Sequence, residues 1–166
     1  MILDVHNHYY PPEYLAELKK GHSTITVDED AEGNPRVHYP GDYGFIPRTY
    51  AEDNDPCDIL VLVNEPTFPG CQIDARPIGV LRMLDRGEPD DKILSVPSHD
   101  PFYQEYFDIA DIPQHYLKEV EHFFHIYKDL EGRLVQTVGW EKSTVAMEVI
   151  MQAIRRYEEK YLQFGP

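Results

Sequence analysis

The 166-residue sequence lacks any apolar run of the roughly 18–20 residues that are needed to span a bilayer, so no membrane span is predicted. Its N-terminus has no basic region followed by an apolar stretch, so we expect a cytoplasmic protein without a secretory signal. Lysine and arginine are scarce, with 15 against 30 aspartates and glutamates, and a net charge of −15 disfavours binding to nucleic acid or anionic lipid. Such acidity either serves solubility or gathers carboxylates around hard cations.

Cysteine is also rare. Cys57 and Cys71 fit no metal-binding spacing, and we expect small buried apolar residues there, although their spacing leaves a disulfide open. With 42% hydrophobic residues, the chain can bury a core, and a single domain over residues 1–166 is predicted.

The hydrophobic pattern predicts strands first and helices later. A hairpin is expected at 23–38, followed by strands at 58–64, 72–84 with a bulge or edge at Pro77, 92–97 and 134–140. Helical spacing follows Pro113 and continues to Tyr127, and a second amphipathic helix follows Ser143 as its N-cap. This order predicts an α+β fold, with a small barrel and helices packed outside it.

Three carboxylates, Asp53, Asp55 and Asp58, lie within six residues just before an apolar strand, and Pro56 makes the segment a turn. Clustered carboxylates repel one another, and Mg²⁺ relieves that repulsion because it prefers carboxylate oxygens. A solvated acidic turn is the alternative. A calcium EF-hand loop fits poorly, because Asp58 and Asn64 occupy its glycine and glutamate positions.

A second acidic group, Asp85, Glu88, Asp90 and Asp91, stands beside Lys92. If the strands at 58–64 and 72–84 pair as neighbours, both acidic groups meet at one end of the barrel. A third patch, Tyr127-Lys128-Asp129, ends the first helix. Cations and phenols that face metal-bound carboxylates suit a phosphate ligand, whereas taken singly both lysines read as solvated surface residues.

Together these segments resemble the soluble family I inorganic pyrophosphatases. The similarity covers residues 39–166, with a core at 43–166. It rests on a series of matches in chain order. They include Tyr39-Pro-Gly-Asp-Tyr-Gly-Phe-Ile-Pro47, Asp53-Asn-Asp-Pro-Cys-Asp58 before the apolar strand, Arg76-Pro-Ile-Gly-Val-Leu81, Asp90-Asp-Lys92, Tyr127-Lys-Asp-Leu130 and Gly139-Trp140.

The resemblance implies an OB-like five-stranded β-barrel with two flanking α-helices, and hydrolysis of pyrophosphate with several Mg²⁺ ions in a homo-oligomer, commonly a hexamer. It implies a general base at Asp55 and places Tyr39 near the site. The metal ligands that it implies are Asp53, Asp55, Asp58, Asp85 and Asp90, and the phosphate-contacting groups are Tyr43, Lys92, Tyr127 and Lys128.

The first 42 residues depart from that family. Ala31 stands where the family has an arginine, and Thr24 and Thr26 stand where lysine and glutamate are expected. The sequence therefore leaves two alternatives, a barrel completed by the N-terminal region or a sheet with an open edge there, and Arg36 is a candidate substitute for the missing cation. The alternative function is a metal-binding oligomeric scaffold with little activity.

The opening Asp4-Val-His-Asn-His8 instead resembles metal-dependent amidohydrolases of the aminocarboxymuconate-semialdehyde decarboxylase type, in which such a histidine pair binds metal. The chain is therefore predicted to be a chimera, natural or artificial. A complete amidohydrolase barrel needs at least about 200 residues, so His6 and His8 read as surface residues or an adventitious metal site.

Overall fold

Residues 4–5, 27–29, 35–37, 41–65, 67–128 and 132–162 are described by a computed structural model. Within these ranges, eight strands precede the first of the two helices, and a ninth lies between the helices. The strands are β1 (Asp4–Val5), β2 (Val27–Glu29), β3 (Pro35–Val37), β4 (Asp42–Phe45), β5 (Asp58–Val61), β6 (Ala75–Asp85), β7 (Glu88–Pro89), β8 (Lys92–Pro97) and β9 (Val135–Lys142). The helices are α1 (Gln114–Ile126) and α2 (Ser143–Tyr161), with 3₁₀ turns at Pro101–Tyr103 and Ile109–Asp111.

The main sheet runs in the order β1-β4-β5-β8-β6-β7, and β9 pairs with the other side of β6. Every pairing is antiparallel except β5 with β8, which is parallel. Five of these strands have four or more residues, and the remaining two have two residues each. The predicted OB-like α+β fold with five principal strands and two helices is confirmed.

The N-terminal hairpin is also present in outline. β2 and β3 form a separate two-stranded antiparallel sheet, in which Val27 faces Val37. β1 pairs with β4 at the edge of the main sheet, so residues from the predicted atypical segment join the fold. The predicted turn of the hairpin lies outside the described residues, as do Thr24, Thr26 and Ala31.

The sheet is buried on both faces, which explains the uninterrupted apolar run of β5. Leu60 packs into a cluster on one face with Phe123 and Phe124 of α1, whereas Ile59 packs on the other face with Ile150 of α2. Neighbouring strand residues point to opposite faces, so a strand covered by a helix on each side carries apolar residues at successive positions. The register shift between Pro77 and Gly79 confirms the bulge predicted in β6.

The N-terminus of α2 differs from the prediction. Ser143 is the first helical residue rather than the N-cap, which is Lys142 and gives no side-chain capping bond. The carboxylate of Asp108, from the loop before α1, accepts hydrogen bonds from the Ser143 N–H at 3.0 Å and Oγ at 2.8 Å. A distant acidic residue therefore caps the helix, where its charge also suits the positive end of the helix dipole.

The two cysteines are both free thiols, Cys57 buried and Cys71 half-buried. The prediction of a buried small residue is confirmed for Cys57 only. Burial raises the pKa of the Cys57 thiol to about 11. Within the described part of the chain, no helix has the length and apolar character to cross a membrane.

Candidate active site

The strand order brings the two acidic groups to one edge of the sheet, but not by the predicted pairing. β5 and β6 are not neighbours, because β8 lies between them. β8 runs parallel to β5 and antiparallel to β6, so the start of β5, the start of β8 and the end of β6 share one edge. Asp58 is in register with Lys92, and Asp85 ends β6 nearby.

Lys92 is the centre of this edge. Its side chain is only 3% exposed, and its Nζ donates hydrogen bonds to Asp58 Oδ2 and Asp90 Oδ1. The rings of Tyr43 and Phe124 each lie 5.9 Å from that nitrogen. Burial lowers the pKa of Lys92, but the two carboxylates outweigh it and the pKa is raised overall. Lys92 is thus a buried ammonium group, not a solvated surface lysine.

A second ion pair, between Lys128 and Asp85, lies beside the Lys92 cluster at the same edge of the sheet. Lys128 Nζ lies 2.7 Å from Asp85 Oδ2 and 3.8 Å from Asp90 Oδ2. Burial would raise the pKa of Asp85, but the ammonium group of Lys128 lowers it overall. Asp90 is more deeply buried, and desolvation raises its pKa despite Lys92. Asp91, which the sequence groups with these carboxylates, instead pairs with Arg82.

The aromatic side chains predicted for the site form one wall of it. Tyr43, on β4, is 9% exposed, and burial followed by the charge of Asp58 raises the pKa of its hydroxyl well above its usual range. Tyr127 follows the last turn of α1, with its ring 5.5 Å from Phe124 and 4.9 Å from Lys128 Nζ. Tyr39, also predicted near the site, lies outside the described residues, as do His6, His8 and the side chain of Arg36.

The aspartate turn before β5 presents its carboxylates from a loop. Asn54 has a φ of 73°, in the left-handed region, and the Asp55 N–H donates to Asp53 Oδ1 at 3.1 Å. Asp53 is half-buried, and desolvation raises its pKa, with the charges of Asp90 and Asp58 adding to the effect. Asp55 is exposed at the tip of the turn. Asp53 thus lies within electrostatic range of the strand-borne carboxylates.

Thr49 holds the base of this turn and was not identified from the sequence. Its buried hydroxyl donates to the Ile46 carbonyl at 2.5 Å and accepts from the Cys57 N–H at 2.8 Å. The two bonds join the chain before the turn to the chain after it. Because Thr49 is eight residues from Cys57, no local sequence pattern predicts this hydrogen bond, and it is recognised only in the folded loop.

The carboxylates have the chemistry of a hard-cation site. Oxygen ligands from aspartates suit Mg²⁺, and Asp85 Oδ1 is a buried oxygen for which the described residues supply no hydrogen-bond partner. Within the described ranges, however, no three His, Cys, Asp or Glu side chains converge as a ready metal site. The donor types therefore fit the ion, while Lys92 and Lys128 bind the carboxylates in the arrangement described.

Comparisons with known proteins show which family the chain resembles over most of its length. The family model described as Inorganic pyrophosphatase matches residues 13–158, a range that begins inside the segment predicted to be atypical. An inorganic pyrophosphatase of Haloferax volcanii is 47% identical over 152 residues, covering 87% of this chain and 86% of that protein. One from Geobacillus stearothermophilus is 49% identical over 124 residues, covering 75% of each chain.

Solved structures give the same likeness. The inorganic pyrophosphatase of Thermus thermophilus superposes with a TM-score of 0.74 at 32% identity, covering 95% of this chain and 91% of that one. The Helicobacter pylori inorganic pyrophosphatase gives a TM-score of 0.70 at 37% identity, covering 82% and 88% of the two chains.

Proposed function

The chain belongs to the inorganic pyrophosphatase family, and on that premise we propose that it hydrolyses inorganic pyrophosphate to two phosphates with the help of Mg²⁺. The observation that carries this proposal is the buried Asp58–Lys92–Asp90 cluster, joined to the Lys128–Asp85 pair at one edge of the sheet. A site that alternates fixed anions and cations suits a substrate that is itself a polyanion bound with cations.

We propose Mg²⁺ as the cofactor on the donor chemistry of the same edge. The residues that would hold it are Asp53, Asp55, Asp58, Asp85 and Asp90. When bound, Mg²⁺ would neutralise phosphate oxygens and lower the pKa of water. For these aspartates to bind metal, Asp58, Asp85 and Asp90 have to exchange part of their contact with Lys92 and Lys128 for the ion.

Each remaining residue has a proposed role that follows from its position. Asp55 is the general base, because its exposed carboxylate at the tip of the turn can accept a proton from the attacking water. Lys92 and Lys128 carry ammonium groups that would bind phosphate oxygens of the substrate. Tyr43 and Tyr127 flank them and supply phenolic donors toward the substrate.

The scaffold alternative, an inactive metal-binding relative, is not favoured, because the relatives matched over most of the chain are named inorganic pyrophosphatases. We propose further that the chain is a cytoplasmic single domain that assembles as a homo-oligomer, with a hexamer as the expected form. The likeness of residues 1–42 to an amidohydrolase, and with it a chimeric origin, stays a prediction that contributes nothing to the proposed reaction.

Phosphate release from pyrophosphate, measured at several Mg²⁺ concentrations, tests the proposal. We expect Mg²⁺-dependent turnover by the wild type and a loss of at least about a hundredfold in kcat for Asp55→Asn, the lower end of the usual contribution of a general base. Asp74→Asn is the matched control, since Asp74 is exposed and contacts His99 away from the site. Absence of turnover by folded wild type, or equal activity in both variants, would contradict the proposal.

A further inference from the structure

The turn that carries Asp53 and Asp55 lies beside a cavity, and of its side chains Ala51 packs against the core. The cavity has a volume of about 250 Å³ and is lined by the turn, by α2 and by strands of the main sheet. Its walls include Ala51, Glu52 and Asp53 from the turn and Val149, Gln152, Ala153 and Arg156 from the helix. Because protein interiors are normally close-packed, a turn beside a cavity depends on its few specific contacts for its position.

Tyr50 supplies most of those contacts at the start of the turn. Its N–H donates to the Ala153 carbonyl at 2.9 Å. Its ring carries Lys160 Nζ 3.6 Å from the ring centroid and meets the Tyr161 ring edge-on at 6.1 Å. Tyr50 is therefore seated on the C-terminal half of α2, between Ala153 and Tyr161.

The hydroxyl of Tyr50 reaches into the turn itself. It donates a hydrogen bond of 2.6 Å to Asn54 Oδ1. Asn54 has a φ of 73°, a conformation that asparagine tolerates better than most residues. It lies between Asp53 and Asp55, so a rotation at Asn54 redirects both carboxylates.

We propose that Tyr50 is a positioning residue, which fixes Asn54 and through it the two carboxylates of the turn for metal binding. The inference rests on the proposed function, in which Asp53 and Asp55 bind Mg²⁺. The hydroxyl binds the turn through Asn54, and the end of α2, where the Lys160 ammonium group also contacts Tyr50, provides the platform. Metal affinity thus depends on a contact between the C-terminal helix and the turn.

Mg²⁺ binding to the substrate-free full chain, measured by calorimetry, tests this directly. Tyr50→Phe keeps the ring contacts with Lys160 and Tyr161 and removes only the hydroxyl. We expect Mg²⁺ affinity to fall about twofold to tenfold, the range that corresponds to one hydrogen bond. Tyr157→Phe, the matched control, removes a tyrosine hydroxyl from α2 itself and is expected to leave the Mg²⁺ affinity unchanged.

A second variant separates the hydrogen bond from the backbone conformation. Asn54→Gly allows the positive φ at no steric cost but removes the acceptor for Tyr50. We expect it to weaken Mg²⁺ binding as much as Tyr50→Phe does, and the double variant to bind no more weakly than either. Wild-type affinity in Asn54→Gly would show that only the backbone conformation matters and would overturn the inference.

The outcomes separate this inference from the proposed function. If the wild type neither binds Mg²⁺ nor hydrolyses pyrophosphate, the proposed function fails. If the wild type does both and Tyr50→Phe binds Mg²⁺ as tightly as Tyr157→Phe, the positioning role fails alone. Thermal unfolding of each variant confirms that folded protein is compared, and Asn54→Gly decides the question should Tyr50→Phe fold poorly.

Discussion

The two halves of the candidate site are held by different means. Asp58, Asp90 and Lys92 sit on or beside strands β5 and β8, whose register is set by the core on both faces of the sheet. Asp53 and Asp55 sit on a turn beside a cavity, held by side-chain contacts that are partly exposed. The strand half is fixed mainly by packing, whereas the turn half is held mainly by a few polar bonds.

This difference predicts very unequal costs of substitution. Removing one partner of a buried ion pair leaves a charge without compensation and typically costs about 3–5 kcal/mol. Exposed ion pairs contribute about 0–1 kcal/mol, because water and salt screen them. Substitutions in the strand half should therefore lower the free energy of unfolding far more than substitutions that loosen the turn.

Lys92→Met gives the largest expected effect. Its ammonium group is 3% exposed and compensates both Asp58 and Asp90, so its loss should lower the free energy of unfolding by about 3–5 kcal/mol. Under the proposed function, added Mg²⁺ should recover part of that loss, because a cation again faces the carboxylates. Denaturant unfolding with and without Mg²⁺ measures both effects.

Lys118→Met is the control for this experiment, since Lys118 is an exposed residue of α1. Its substitution should change the free energy of unfolding by less than about 0.5 kcal/mol. If Lys92→Met were no more destabilising than Lys118→Met, the strand half would not depend on its central charge, and the contrast between the halves would be lost.

The sequence predicts well the strands that carry the site and the position of the aspartate turn. The apolar runs of β5, β6 and β8 identify buried strands by composition alone, and the Asp53–Asp58 turn is recognisable from Pro56 and its closely spaced carboxylates. The insertion of β8 between β5 and β6 is not recoverable in this way, because strand order is a property of long-range pairing that no local pattern encodes.

The burial of the Lys92 side chain could not be predicted from the sequence either. Lys92 reads as a surface lysine because an isolated lysine is almost always exposed, and only the convergence of Asp58 and Asp90 makes its burial favourable. The support of the turn by Thr49 depends on closure of the loop onto Cys57, and the support by Tyr50 depends on contact with α2, an element about a hundred residues later in the chain. The sequence therefore predicts the residue types of the site, but the contacts that position them are visible only in the structure.

Thr49→Val should have an intermediate effect, since Thr49 lies at the buried base of the otherwise exposed turn. Valine has a similar shape but leaves the buried Cys57 N–H without its acceptor, a loss of about 1–3 kcal/mol in the free energy of unfolding. Denaturant unfolding measures it, with the exposed Thr144→Val of α2 as the matched control. A loss no greater than that of the control would mean that the turn is closed by other contacts.

The smallest effect is expected for the ion pair that ties the turn to α2 across the cavity. Arg156 and Glu52 are 2.6 Å apart, but their side chains are 37% and 53% exposed. A double-mutant cycle with Arg156→Met and Glu52→Gln should give a coupling below about 1 kcal/mol that shrinks as salt is added. A coupling as large as the loss expected for Lys92→Met would show that the turn is held as firmly as the strands, because only a pair shielded from water reaches that size.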